Sequence, residues 1–210
     1  MINEIQKRYT HESQNACNLS CGSNLDFIGI LPGENILDLG CGKGNESIQA
    51  AVLTGPGGNV TGMDITQAMI ETARSNAKKA AISNVSFITG DIENLPFDNN
   101  CFDAVISNCV INHTRNKRRV YDEIFRVLRT GGRFVISDAV TKNPLPAEVK
   151  NDPEAWAQCF GGAVTECEYL ENIKASGFQN IEIPKRREYL KNGYEFISLT
   201  IIAIKSTEGR

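Results

Sequence analysis

Three groups of residues in this 210-residue chain have the types and spacing to do chemistry. The first is Asp38-Leu39-Gly40-Cys41-Gly42-Lys43-Gly44, an acid followed by three glycines at alternate positions. Glycines placed this way, between an apolar run (Ile36, Leu37, Leu39) and a helix-like stretch from Asn45 to about Leu53, expose bare backbone to a nucleotide-like ligand. The second is a pair of acids. Asp64 falls twenty residues past Gly44, at the end of the next expected strand, where a carboxylate reaches the hydroxyls of a bound ribose; Asp91 follows the strand after that. The third is a pair of cysteines, Cys109 and Cys159, fifty residues apart. Two soft thiolates brought to one point can hold a soft, thiophilic centre.

The glycine spacing narrows the ligand. The dinucleotide fingerprint is G-x-G-x-x-G and the phosphate loop is G-x-x-x-x-G-K-[ST]; Lys43 is not placed for the latter. Nor does the chain contain Tyr-x-x-x-Lys, the proton-relay pair of short-chain nicotinamide oxidoreductases.

The elements that must position these groups alternate regularly. Strands are expected at Ile36–Leu39, Asn59–Asp64, Val85–Thr89, Phe102–Ser107 and Arg133–Ala139. Helices are expected between them: Asn45–Leu53, Thr66–Ala80 with Thr66 as N-cap, and Asn116–Leu128, the last stopped by Thr130-Gly131-Gly132. Pro144 to Gly162 reads as a polar connection with Trp156 as a lid anchor. A helix from Thr165 to Ser176 and two strands, Ile181–Glu188 and Tyr194–Lys205, joined at Asn192-Gly193, complete the chain. This pattern predicts an α/β fold, a doubly wound, mostly parallel seven-stranded sheet closing on an antiparallel hairpin. Residues 1–33 are expected to be an N-terminal cap and 34–210 a single domain. In such a sheet, chemistry lies outside the strands' carboxyl ends, near the switch point between the first and fourth strands, where Asn108 and Cys109 fall; the segment bearing Cys159 folds over the same rim.

Composition excludes several classes. A net charge of −3 and 41% apolar residues give no reason to expect a nucleic-acid partner. No apolar run approaches the ~20 residues of a membrane span, and the first twenty residues lack a signal-peptide core, so a cytoplasmic location is expected. Seven cysteines without a C-x-x-C argue against a disulfide framework and a zinc knuckle. Cys41, Cys101 and Cys167 read as small or inert residues, and His11 and His113 as surface or supporting groups rather than catalysts.

The Asp-x-Gly-x-Gly-x-Gly loop resembles that of class I S-adenosylmethionine-dependent methyltransferases. Ser107-Asn108-Cys109-Val110-Ile111-Asn112, Asn151 to Ala163 around Trp156 and Cys159, and Gly62-Met63-Asp64-Ile65-Thr66 more specifically resemble arsenite methyltransferases, over roughly residues 34 to 178. The resemblance implies S-adenosylmethionine contacts from Asp38, Gly40, Cys41, Gly42, Gly44, Asp64, Ile65, Asp91, Ile92 and Asn108, with Asp91 on the adenine amino group and Ile92 on its ring. It further implies arsenic(III) as a small-molecule substrate, held by Cys109 and Cys159 plus a third N-terminal cysteine, Cys21 or Cys17, and a thiol reductant as partner. His113 departs from the pattern, which calls for an apolar residue there. A methyltransferase of a small organic acceptor (quinone, amine or thiol), a nicotinamide enzyme and a non-catalytic arsenite binder are the alternatives.

Overall fold

The computed structural model describes residues 2–13 and 24–206. Cys17 and Cys21, the candidates for a third thiol ligand, lie outside the described residues.

Helix α1 (Ile2–Ser13) precedes a short α2 (Leu25–Ile28). Strand β1 (Asn35–Leu39), α3 (Asn45–Thr54), β2 (Asn59–Asp64), α4 (Gln67–Lys79), β3 (Val85–Thr89) and β4 (Phe102–Asn108) follow. A single 3₁₀ turn, Ile111–His113, leads to α5 (Lys117–Val127) and β5 (Leu128–Thr141). Helices α6 (Ala147–Asn151), α7 (Pro153–Ala157) and α8 (Glu166–Ala175) and strands β6 (Gln179–Lys191) and β7 (Tyr194–Ile204) complete the order. The seven strands form one sheet in the order β3-β2-β1-β4-β5-β7-β6. All neighbours are parallel except β5–β7 and β7–β6.

The central strands are buried on both faces, which is why their sequences are continuously apolar. Leu37, Leu39, Val105, Phe134 and Ile136 pack one face with Tyr121 and Ile124 of α5 and Tyr169 and Ile173 of α8. Ile36, Ala104, Ile106 and Val135 pack the other with Ile28 of α2 and Ala50 and Ala51 of α3. Asp38 alternates onto this second face, beneath the first turn of α3.

Three expectations change. β5 does not start at Arg133: it leaves α5 directly at Leu128, and the glycine pair is a bulge within it. Gly131, at φ +81°, donates its N–H to the Lys205 carbonyl at 2.7 Å, and Lys205 donates back to Gly132. Those bonds to the residue just after β7, rather than a helix stop, fix the glycines. β6 also runs longer than expected; it is an edge strand and carries Pro184 where its pairing is irregular, as an edge allows. The 144–162 connection holds two short helices, the second capped by Asp152, which accepts the Glu154 N–H. The Asn192-Gly193 turn is as expected, with φ of +52° and +81°. No helix among the described residues is long and apolar enough to cross a membrane.

Candidate active site

The chain leaves the sheet centre at β1, builds outward to β3 and returns at β4 beside β1, with Leu39 opposite Ser107. The loops after β1 and β4 therefore diverge and open a cavity of about 190 Å³ at the strands' carboxyl ends. Asp38, Gly40, Cys41, Gly42, Asp64, Ile65, Asp91, Ile92, Asn108 and Cys109 all line it.

The glycine loop is shaped by contacts on both sides. A side chain on Gly40 (φ +70°) would collide with Val110 from the β4 loop. Gly42 donates its N–H to Asp64 Oδ2 at 3.0 Å, while Asp64 Oδ1 accepts the Thr66 N–H at 2.8 Å. Thr66 is the N-cap residue of α4, as expected, but its side chain makes no cap bond; the Asp64 carboxylate holds its N–H instead. Gly44 is set between the cavity residues Lys43 and Asn45; a Cβ there would lie 2.7 Å from the Phe87 ring, so it spaces α3 from β3.

Acids dominate this half. Asp38 is 3% exposed, and its Oδ2 accepts the Ser47 hydroxyl at 2.5 Å. Burial, and then the neighbouring Glu46 carboxylate, push Asp38 up to about 7. Burial also raises Glu46, whose oxygens accept the Asn24 N–H at 2.8 Å and the Asn108 amide at 3.4 Å. Burial raises Asp64, opposed by its backbone hydrogen bonds. Desolvated carboxylates around one cavity favour a cationic occupant, which restores the charged form of each. Asp91 stands exposed at the rim and accepts the Glu93 N–H, whereas Ile92 is buried and gives the cavity an apolar wall. Bare backbone, acids ending adjacent strands and an apolar wall fit a nucleoside bearing a sulfonium amino-acid chain.

Helix α1 closes the cavity with Ile2, Ile5 and Tyr9. Its Gln6 amide donates to the Ile65 carbonyl at 3.1 Å, and its Arg8 guanidinium donates to the Ala157 carbonyl. Tyr9 and Glu46 are cavity residues that the sequence did not single out for a role, and His113, read as a surface or supporting group, lines the cavity too. Glu46 had a faint signal, an acid two residues after the glycine loop; Tyr9 had none.

The thiol half is organised by the 3₁₀ turn and the α7 segment. Cys109 (φ +57°) and Cys159 (φ +65°) both hold left-handed backbone, uncommon without glycine. Cys159 Sγ lies 3.0 Å from the Cys109 carbonyl oxygen, 2.6 Å from His113 Nε2 and 3.4 Å from the Tyr9 hydroxyl. Tyr9 also reaches His113 Nε2 at 3.0 Å. His113 is therefore no surface group; it sits against the thiol. Burial pushes Cys159 up to about 11 and His113 down to about 4, so both are neutral near pH 7. Burial, reinforced by Cys159, raises Tyr9 beyond its ordinary range.

Cys109 is disulfide-bonded, against the expectation of free thiols; Cys41, Cys101, Cys159 and Cys167 are free. Cys41 packs near Ile70 and Phe87 as a small buried residue, Cys101 is half-buried, and Cys167 is exposed on α8. No cluster of three His, Cys, Asp or Glu suited to a metal ion occurs among the described residues.

The supporting layer is polar and buried. The Asn112 amide donates to Asp138 Oδ1 at 2.8 Å and to the Ala139 carbonyl at 2.5 Å, and the Tyr169 hydroxyl donates to Asp138 Oδ2 at 3.0 Å. The Asn112 carbonyl leaves no room for a side chain on Gly162, and Trp156, 8% exposed, donates its indole N–H to the Lys150 carbonyl at 2.7 Å. These contacts dock the Cys159 segment on the 3₁₀ turn.

A methyltransferase-domain family model matches residues 30–191. The chain is 42% identical over 180 residues to an arsenite methyltransferase of Halobacterium salinarum, covering 86% of this chain and 45% of that protein. It is 40% identical over 138 residues to the arsenite methyltransferase of Homo sapiens, covering 61% of this chain and 37% of that one. It thus spans less than half the length of these relatives. The crystal structure of an arsenic(III) S-adenosylmethionine methyltransferase from Chlamydomonas reinhardtii superimposes with a TM-score of 0.79 at 28% identity, over 99% of this chain and 75% of that one. The fold is that of the class I methyltransferases, and the chain belongs to the methyltransferase-domain family.

Proposed function

We propose that this chain transfers a methyl group from S-adenosylmethionine to trivalent arsenic held by Cys159 and Cys109. The observation that carries the reading is the Cys159 sulfur 3.0 Å from the Cys109 carbonyl, behind a cavity fit for the donor. The names of the relatives support the same acceptor.

When bound, S-adenosylmethionine supplies an electrophilic methyl group on a sulfonium sulfur. The Gly40–Gly42 backbone and the Asp38 and Glu46 carboxylates orient its amino-acid end, Asp64 takes the ribose hydroxyls, and Ile65, Asp91 and Ile92 take the adenine. Held there, the donor would pass its methyl group to the arsenic lone pair, its sulfur keeping the S–C electron pair; arsenic would take up the positive charge and rise from trivalent to pentavalent, and the thiol reductant would return it to the trivalent state. No base is needed at this step, because the nucleophile carries no proton. Alignment alone accounts for ~7–11 kcal/mol of such a barrier. A thiol reductant frees Cys109 before the acceptor binds, and Cys21 or Cys17 completes the sulfur set. Residues 1–33 act as a cap on the methyltransferase domain, 34–210.

The test incubates the reduced protein with arsenite, a thiol reductant and S-adenosylmethionine and quantifies methylated arsenic by chromatography with mass detection. Cys109→Ser and Cys159→Ser should each abolish product while calorimetry shows donor binding intact. Undiminished product from both variants would remove arsenic as the acceptor held there; a small organic acceptor would then take its place.

A further inference from the structure

We propose that Glu46 is the specificity-determining residue of the donor cavity: its carboxylate takes the ammonium of the donor's amino-acid chain, and so selects ligands that carry a free amine at that end. The inference deepens the donor placement given above and rests on it.

The strand order carries it. Neighbouring strands run β3-β2-β1-β4, and each carboxyl end supplies its own part of the cavity wall: Ile92 after β3, Asp64 at the end of β2, Gly40 after β1 and Asn108 at the end of β4. A nucleoside with its base over β3 and its ribose over β2 sends its remaining chain toward the gap between β1 and β4. Glu46 stands at that gap. It belongs to the first turn of α3; its Oε2 accepts the Asn108 amide at 3.4 Å and its Oε1 the Asn24 N–H at 2.8 Å. Asn24 is itself fully buried, its amide donating to the Ser107 carbonyl at 2.9 Å and its side-chain oxygen accepting the Ser137 hydroxyl at 2.7 Å. The Glu46 carboxylate is thereby held from the entry of α2 and from β4, which lowers the ordering cost of a long side chain when a ligand binds.

Its charge is not met within the chain. Glu46 makes no ion pair among the described residues, Lys43 of the same wall included, and its charged neighbours Asp26 and Asp38 are acids. Two neutral donors leave part of its lone-pair capacity unused, and an ammonium brings three N–H donors with a full opposite charge. Asp38 is less suited to that contact. It lies beneath α3, 3% exposed, with Oδ2 already taken by the Ser47 hydroxyl. Asp38 adds to the negative field of the cavity, and Glu46 makes the contact. The demethylated product keeps the same amine, so Glu46 holds donor and product alike.

Calorimetry on the full chain tests this with three probes whose sulfur is a neutral thioether: S-adenosylhomocysteine, its deamino analogue, and methylthioadenosine, which lacks the amino-acid chain. Wild type should bind S-adenosylhomocysteine about tenfold or more tighter than the deamino analogue. Glu46→Gln should remove that preference, lowering affinity for S-adenosylhomocysteine by about tenfold or more and leaving the other two probes unchanged or tighter. Glu46→Asp, which keeps the charge, should restore part of it. Asp64→Asn should weaken all three probes alike, because each carries the ribose. A wild type that does not tell the amine from its absence overturns the role, as does a Glu46→Gln loss shared by all three probes, or no loss at all. Asp64→Asn that weakens none of them would instead remove the ribose placement on which the inference rests. Denaturant unfolding checks that the variants fold. If Glu46→Gln does not, Glu46→Asp decides by the same ratio: a smaller preference for the amine supports the contact, and an unchanged one overturns it.

Discussion

The Asp38 carboxylate, 3% exposed, accepts a 2.5 Å hydrogen bond from the Ser47 hydroxyl across the β1–α3 junction. Neutral donors, the Ser47 hydroxyl and backbone N–H, do not compensate a buried charge, and Asp38 is raised to about 7 by burial, with Glu46 adding to the shift. Its sign is opposite to that of a salt-bridged acid. In the free protein this group stabilises the fold most at low pH, and that contribution declines as pH rises from the ordinary carboxylate range to about 7.

A cationic donor reverses the balance by favouring the carboxylate. Donor affinity should therefore rise as pH is raised through 7, and binding at pH 6 should release protons to the buffer. Calorimetry in buffers of different ionisation enthalpy measures this directly. Asp38→Asn should weaken binding and abolish the proton release; release that persists in the variant assigns it to another group.

Gly44 is a spacer, and its substitution is a stability experiment. At φ +79°, with the Phe87 ring 2.7 Å from where a Cβ would stand, Gly44→Ala incurs both backbone strain and a clash. A loss of about 1–3 kcal/mol is expected, read by denaturant unfolding. An unchanged midpoint would contradict the packing described.

If arsenic binds as proposed, the Cys109 disulfide closes the acceptor site until it is reduced. Arsenite should bind poorly to the oxidised protein and stoichiometrically after reduction, while donor affinity changes by less than about threefold, because the donor cavity is walled chiefly by other residues. Equilibrium dialysis with arsenic detection follows both states. Equal arsenite uptake before and after reduction would detach Cys109 from the acceptor.

Asn112 ties the 3₁₀ turn to β5 and is fully buried. Asn112→Ala leaves Asp138 one donor short and should cost about 1–3 kcal/mol of stability. It should also raise the KM for arsenite with little change in that for the donor, because the turn seats the Cys159 segment rather than the glycine loop. A rise in both constants would mean the turn supports the whole cavity.

Much of this was legible in order. Alternation of apolar strands with amphipathic helices carries the sheet, because a strand buried on both faces has little latitude in composition. Ile36, Leu37 and Leu39 are each fully buried, as their types require. Asp38, Gly40, Gly42, Asp64, Asp91 and Asn108, expected as donor contacts chiefly from the family resemblance, line one cavity because strand ends in a doubly wound sheet face it. What short spacing does not show is a neighbour from elsewhere: Phe87 of β3 against Gly44, and Lys205 from the far end of the chain against the Gly131-Gly132 pair, which by itself reads as a helix stop.

The sequence by itself therefore determined the sheet and the cavity that its strand ends open, since each is written in residue type at short spacing, and it brought out Cys109 and Cys159 through the motifs around them. Only the tertiary structure decided what surrounds those cysteines. Tyr9 is 150 residues from Cys159 and His113 is 46 away, yet both touch its sulfur. Nothing in a local pattern encodes a contact that forms only when α1, the β4 loop and the α7 segment pack together. The properties of that thiol, neutral, shielded and paired with an imidazole, come from the packing.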